Sequence, residues 1–178
     1  MGWNFGNPKT YNQSGTSETF GRITLVKSLN RLLRPKTIAV YGGSWSKNVV
    51  KELKKNSFLG KIWAVHPTKK TVGGVKCYRT TFDLPSSPDA VFVGVNREKT
   101  VSIIEELSVI DAGGVVCFAS GFSETSVDDK SDQGKTLQDK IVKAAGQMPI
   151  LGPNCYGFIN YLDNSLIWPD QHGGEQVN

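Results

Sequence analysis

The sequence predicts an α/β domain in which a mainly parallel, doubly wound sheet of five strands carries helices on both faces. Short runs of β-branched and aromatic residues alternate with stretches of helical periodicity. One run, residues 89–95 (DAVFVGV), is almost continuously apolar, as parallel strands buried on both faces are. Another, residues 37–41, stops at Gly42 and Gly43 before a helical pattern, which is typical of the first strand of an open α/β sheet.

The other elements follow from the same patterns. Apolar spacing predicts a helix over residues 23–33, which Arg34-Pro35 ends. A second helix is expected from the glycine pair to about residue 57, with Ser44 or Ser46 as its N-cap. Further strands are expected at residues 61–65, 89–95, 115–119 and 149–151, and further helices at residues 96–111 and 133–146. No strand is predicted after residue 151.

The chain is long enough for one domain, which we place at residues 21–160. Residues 1–20 are rich in Gly, Asn, Ser and Thr without periodicity, and we expect a flexible or docked arm. Residues 161–178 lose the α/β pattern and are rich in turn-forming residues, so we expect a linker toward a further C-terminal domain.

Charge and composition narrow the class of partner. The net charge of +5 favours an anionic partner, but the lysines are scattered rather than gathered in a nucleic-acid tail. Cys77, Cys117 and Cys155 are widely spaced without a CxxC, so neither a zinc site nor a disulfide framework is predicted. No apolar run reaches the roughly 18 residues that cross a bilayer. We therefore expect a reduced, cytoplasmic protein that binds no metal, membrane or nucleic acid.

The strand ends predict a binding crevice at one edge of the sheet. Ligands of open α/β sheets lie beyond the carboxyl ends of the strands, and free N–H groups at a helix N-terminus attract phosphate. Gly42 and Gly43 permit close approach to such a phosphate, although an ordinary βα turn is the alternative interpretation.

The end of the second predicted strand favours a phosphorylated ribose. Many NAD-binding folds carry an acidic residue there, whereas this chain has His66-Pro67 followed by Lys69 and Lys70. Lysines attract a ribose phosphate, such as the 3′-phosphate of coenzyme A or the 2′-phosphate of NADP. Solvated loop lysines are the alternative.

Five segments of residues 29–160 occur in a characteristic order: LLRPKTIAVYGGS, KIWAVHP, DAVFVGV, ASGF and ILGPNCYG. Together they resemble the CoA-binding domain of the NDP-forming acyl-CoA synthetases, which include ADP-forming acetate–CoA ligase and, more distantly, the α subunit of succinyl-CoA synthetase. The resemblance implies a Rossmann-like fold. GPNCYG after a strand is the most specific of these segments.

The resemblance also implies roles for individual residues. Those expected at the coenzyme A phosphates are Gly42, Gly43, Ser44 and Trp45. Those expected at the adenosine 3′-phosphate end are Pro67 with Lys69 or Lys70, and those along the nucleotide or pantetheine arm are Val95, Asn96 and Arg97. Those expected beside the pantetheine and the thiol are Ser120, Gly121, Phe122, Asn154 and Cys155. The family commonly has Val-Pro where this chain has Val95-Asn96. The loop after the first strand is shorter than in succinyl-CoA synthetase, so a packing role is the alternative for Trp45.

The family's reaction converts acid, coenzyme A and ATP into acyl-CoA, ADP and phosphate through an acyl phosphate and a phosphohistidine. The phosphohistidine and the ATP-grasp domain, which takes ATP and Mg, lie outside this chain, so we expect no catalytic residue here. We expect His66 to be structural or a ligand contact, His172 to be an exposed linker residue and Cys155 to be non-catalytic. An NADP-binding oxidoreductase or redox-sensor domain and a stand-alone CoA-binding module are the alternatives.

Overall fold

A computed structural model of the chain describes residues 28–122 and 133–174. The helices are α1 (Asn30–Leu33), α2 (Ser44–Lys55), α3 (Arg97–Val109) and α4 (Gln133–Ala145). The strands are β1 (Thr37–Gly42), β2 (Lys61–Val65), β3 (Thr71–Val72), β4 (Val75–Tyr78), β5 (Ala90–Gly94), β6 (Val115–Cys117), β7 (Ile150–Leu151), β8 (Phe158–Asn160) and β9 (Ser165–Ile167). A short 3₁₀ turn, Thr81–Asp83, follows β4.

The main sheet has the order β3-β4-β2-β1-β5-β6-β7. Every neighbouring pair is parallel except β3 and β4, which are antiparallel. The mainly parallel α/β fold predicted from the sequence is therefore confirmed, and each of the five predicted strands forms. The sheet has seven strands rather than five. Gly73 and Gly74 both have positive φ, which lets residues 71–78 turn back as an additional hairpin.

Helices cover both faces of this sheet, as a doubly wound fold requires. On one face, α2 buries Val49, Val50 and Leu53 against β1 and β5. On the other face, α3 and α4 bury a second apolar cluster that includes Ile104 and Ile141. The strand order places β1 between β2 and β5, so the chain leaves β1 in one direction and returns on its other side. Such a switch point opens a crevice at the carboxyl ends of the strands.

The end of the described chain packs on α2. Strands β8 and β9 form an antiparallel hairpin, and Leu166 and Ile167 are completely buried in the same cluster as α2. His172 has only 9% of its side chain exposed, and its Nε2 lies 3.7 Å from Oε2 of the buried Glu52. The hydroxyl of Tyr161 lies 3.2 Å from Nδ1 of His172. The expectation of an exposed histidine in a linker is therefore wrong, because this residue closes over α2.

The proposed arm at residues 1–20 and the start of the predicted helix at residue 23 lie outside the described residues. The division into arm, domain and linker stays a prediction. In the described ranges, no helix is long and apolar enough to span a membrane. No group of three His, Cys, Asp or Glu side chains suited to a metal ion occurs in those ranges either.

The amino ends of β1 and β5 are joined by the carboxylate of Asp89, at the edge of the sheet opposite the crevice. It accepts hydrogen bonds from Nε of Arg31 at 2.9 Å, the N–H of Lys36 at 3.0 Å and the N–H of Thr37 at 3.1 Å. Burial alone would raise the pKa of Asp89, but these hydrogen bonds outweigh it and hold the pKa below its usual range.

Candidate functional site

The turn between β1 and α2 forms the centre of the carboxyl edge. Gly42 has φ +121°, and a Cβ at this position would lie 2.4 Å from the carbonyl oxygen of Gly94 on β5. Only glycine allows these two strands to approach so closely.

Helix α2 begins without a side-chain cap. Its N-cap is Gly43, and the hydroxyl of Ser46 donates instead to the carbonyl of Tyr41 at 2.9 Å. The predicted serine cap is therefore wrong, because β1 takes the Ser46 hydroxyl and the cap position falls on a glycine. The first-turn amides of α2 lack a carboxylate or hydroxyl cap, which leaves the N-terminus suited to an anion.

A cleft of about 690 Å³ lies on one side of this turn, and we call it the His66 cleft. Its lining includes Gly43, His66, Pro67, Val95, Asn96 and Lys99. Its walls come from helix α3, the ends of β1, β2 and β5 and the segment after β4, the position expected for the ligand of an open α/β sheet.

His66 shapes the loop that borders this cleft. Its Nδ1 accepts the N–H of Lys69 at 3.1 Å and the N–H of Thr68 at 3.2 Å. Burial, followed by the charges of Lys69, Arg79 and Lys99, lowers the pKa of His66. A neutral ring with an unprotonated Nδ1 is what these two hydrogen bonds require. We infer that His66 orients the loop that carries Lys69.

A second cleft of about 670 Å³ lies on the other side of the same turn, and we call it the lysine cleft. Its charged lining consists of Lys47, Lys51, Lys54 and Lys69. The Nζ of Lys69 lies 3.3 Å from the point where a Cβ on Gly43 would stand, so this ammonium group reaches the N-terminus of α2. Lys70, the other candidate lysine, lines neither cleft.

The segment after β5 brings three further candidates to the edge. Asn96 caps α3, with its Oδ1 accepting the N–H of Lys99 at 3.0 Å. Val95 borders the His66 cleft and packs partly against the core. Arg97 reaches across to the next loop and donates from Nη1 to the carbonyl of Gly121 at 2.9 Å. The structure therefore brings Arg97 and Gly121 together.

The loops after β6 and β7 are also joined. The N–H of Asn154 donates to the carbonyl of Ala119 at 2.9 Å, and the N–H of Cys155 donates to the carbonyl of Cys117 at 3.2 Å. Ser120 and Asn154 are exposed, and Cys155 is half-buried. Phe122 is completely buried, so it anchors its loop in the core.

A row of aromatic rings borders these loops. Trp45 lies on Phe118 with ring centroids 4.9 Å apart, Phe118 on Tyr156 at 5.5 Å, and Tyr156 on Trp168 at 5.3 Å. Trp45 is 42% exposed and Tyr156 is 45% exposed. Trp45 thus packs against a neighbour and also presents a ring surface at the edge.

Sequence analysis did not single out Lys47, Lys51, Phe118 or Tyr156 as site residues. The two lysines lie one helical turn apart, and the two aromatic residues follow β6 and β7. The spacing of the lysines and the positions of the aromatic residues can be recognised as features of a site only when the bounds of α2 and of the strands are known.

A parallel α/β sheet with a glycine turn at the carboxyl edge is typical of domains that bind ligands containing a nucleotide. Comparison with known proteins gives the family. The CoA binding domain family matches residues 36–161. The chain belongs to this family. It is 32% identical over 142 residues to a trans-feruloyl-CoA synthase of an unknown prokaryotic organism, covering 77% of this chain and 20% of the relative. It is 30% identical over 149 residues to acetate–CoA ligase [ADP-forming] II of Archaeoglobus fulgidus, covering 80% of this chain and 21% of that ligase.

The structural comparison agrees with the family. The dinucleotide-forming acetyl-coenzyme A synthetase 1 of Ca. Korarchaeum cryptofilum, solved with phosphate and ADP, is similar with a TM-score of 0.73 and 26% identity. The similarity covers 81% of this chain and 31% of that one. The chain is thus a CoA-binding domain homologous to a part of the NDP-forming acyl-CoA synthetases, and it spans about a fifth of the length of the curated relatives named above.

Proposed function

We propose that this chain supplies the coenzyme A site of an NDP-forming acyl-CoA synthetase. The uncapped N-terminus of α2, opened by Gly42 and Gly43 and faced by the ammonium group of Lys69, is the observation that carries the proposal. Backbone N–H groups and the helix dipole converge there, which suits a diphosphate, and the adjacent ammonium group of Lys69 suits a further phosphate of the same ligand.

From the diphosphate at the N-terminus of α2, the two ends of the coenzyme then extend in opposite directions along the carboxyl edge of the sheet. Pro67 and Lys69 take the adenosine 3′-phosphate end. Because Lys70 lines neither cleft, the structure favours Lys69 of the two candidate lysines.

The pantetheine arm follows the loops after β5 and β6 toward the loop after β7. Val95, Asn96 and Arg97 border the nucleotide or the start of this arm, which then passes Ser120 and Gly121, whose loop Phe122 anchors in the core. The thiol reaches Asn154 and Cys155. Trp45 borders the phosphates.

Catalysis is proposed to need groups that other parts of the synthetase provide. A phosphohistidine domain would transfer phosphate, and an ATP-grasp domain would hold ATP or ADP and Mg. The partner fragments are therefore further domains or subunits of the same ligase, in the cytoplasm, and no residue of this chain is assigned to the chemical step. His172 is held in a buried contact with Glu52, which does not suit a mobile phosphocarrier.

Calorimetric titration of the purified chain tests this proposal. Coenzyme A, 3′-dephospho-coenzyme A and NADPH are titrated in turn. We expect coenzyme A to bind most tightly, because 3′-dephospho-coenzyme A lacks the ribose phosphate and NADPH has a nicotinamide riboside in place of the pantetheine arm. Tighter binding of NADPH would instead support an oxidoreductase or redox-sensor domain, and binding of none of the three would reject the proposal.

A further inference from the structure

The lysine cleft concentrates positive charge beside the proposed diphosphate site. Lys47, Lys51 and Lys54 are spaced by four and three residues on α2, so their side chains leave the same face of the helix. Lys69 reaches this face from the loop after β2. The cleft therefore brings together ammonium groups from two different elements.

This charge is not neutralised within the described parts of the chain. There, none of the four lysines of the cleft forms a salt bridge with a carboxylate, whereas the neighbouring Lys55 lies 3.9 Å from Glu52. Lys54 donates to the carbonyl of Gly73 at 2.9 Å, which fixes its position without neutralising it. Like charges one helical turn apart destabilise a helix by about 0.2–0.5 kcal/mol per pair. A bound anion would remove this repulsion.

The position of the cleft selects the kind of anion. Gly43 borders both the lysine cleft and the His66 cleft. A ligand with a diphosphate at the N-terminus of α2 can therefore extend a further phosphate into the lysine cleft while its aromatic base occupies the His66 cleft, which Val95 and Ile103 help to line. A phosphomonoester carries a charge of about −1.5 to −2 at neutral pH, which suits two or three ammonium groups.

We propose that Lys47 and Lys51, together with Lys69, hold the ribose 3′-phosphate of coenzyme A and select the 3′-phosphorylated coenzyme. This inference rests on the proposed binding of coenzyme A and adds two α2 residues to the site. Lys54 supports the wall of the cleft through its hydrogen bond to Gly73.

The test compares Lys47→Gln/Lys51→Gln with a matched control, Lys140→Gln/Lys143→Gln. The control lysines are exposed on α4, on the opposite face of the sheet. Both variants and the unsubstituted chain are titrated calorimetrically with coenzyme A and with 3′-dephospho-coenzyme A. Circular dichroism verifies that each variant folds.

We expect the α2 variant to bind coenzyme A about tenfold more weakly, because it loses two partly exposed charge contacts to one phosphate. Its affinity for 3′-dephospho-coenzyme A should change less than about twofold, as should both affinities of the α4 control. A similar loss for both ligands, or no loss for coenzyme A, overturns the inference while leaving the proposed function intact. If the unsubstituted chain binds neither ligand, the proposed function fails as well.

Discussion

A chain of hydrogen bonds through two buried hydroxyl groups joins elements that line the His66 cleft. Breaking this chain should lower the free energy of unfolding. The Tyr41 hydroxyl on β1 donates to Oγ1 of Thr81 at 3.1 Å, and the Thr81 hydroxyl donates to Oε2 of Glu106 on α3. Tyr41 and Thr81 are each 2% exposed. Burial raises the pKa of Tyr41 well above its usual value, so its hydroxyl keeps its proton. Each member of the chain therefore depends on the next one for a partner.

The expected cost of Thr81→Val follows from this geometry. Valine preserves the shape of threonine but leaves the Tyr41 hydroxyl buried without an acceptor, which costs about 1–3 kcal/mol of unfolding free energy. Tyr41→Phe removes the donor while Thr81 can still donate to Glu106, so we expect a loss of about 0.5–1.5 kcal/mol. In the Tyr41→Phe background, Thr81→Val affects only Glu106, which is half-buried and reaches water. The double variant should therefore be about 1 kcal/mol more stable than the sum of the two single losses predicts.

Urea denaturation followed by circular dichroism measures these free energies for the four proteins of the cycle. Thermal midpoints give a second measure, since about 1 kcal/mol corresponds to about 2–4 °C in a domain of this size. Losses that add within about 0.3 kcal/mol would refute the shared hydrogen-bond chain. A larger loss for Tyr41→Phe than for Thr81→Val would refute the assigned direction of donation.

Three further substitutions test the site and its frame. Lys69→Gln should weaken binding of coenzyme A about tenfold and binding of dephospho-coenzyme A much less, as measured by calorimetry. Lys70→Gln should leave both affinities within about twofold of those of the unsubstituted chain. Equal effects of the two substitutions would contradict the placement of Lys69. Gly42→Ala should lower the free energy of unfolding by at least about 3 kcal/mol, because its Cβ meets a backbone carbonyl at positive φ. Gly173→Ala is its control in the same thermal unfolding experiment, having no neighbour within 4 Å. Asp89→Asn should destabilise the chain at pH 7. The depressed pKa of Asp89 means that its stabilisation is present above the unfolded value of 3.8 and is lost as the pH falls through the folded value. The variant's urea midpoint should therefore fall less between pH 4 and pH 2, and a parallel fall in both proteins would contradict this assignment.

The sequence is sufficient for the frame of the fold because the central parallel strands are long apolar runs. β1, β2 and β5 each have at least five residues, most of them buried, so their pattern is local and readable. The end of β1 is readable for the same reason, since a glycine pair interrupts an apolar run.

The elements that the sequence does not predict are stabilised by distant contacts. β3 has two residues and β9 has three, too few to establish a period, and neither belongs to the strand–helix alternation from which the equally short β6 and β7 are predicted. β9 is buried because α2 and the sheet cover it, and neither contact is visible from the residues 165–167 alone. His172 is misread for a related reason, since its partner Glu52 lies 120 positions earlier in the chain.

The candidate site, like the fold, has a part that the sequence predicts and a part that depends on distant contacts. Parallel strands gather their carboxyl ends at one edge, so a list of strand ends already groups the residues that belong there. It cannot separate Lys69 from Lys70, which share composition, exposure and neighbourhood in the sequence. The distinction comes from His66, whose unprotonated Nδ1 accepts the N–H of Lys69 and bends the loop so that this side chain reaches Gly43. Because this hydrogen bond and the position of Gly43 exist only in the folded domain, the choice of lysine is a property of the assembled edge.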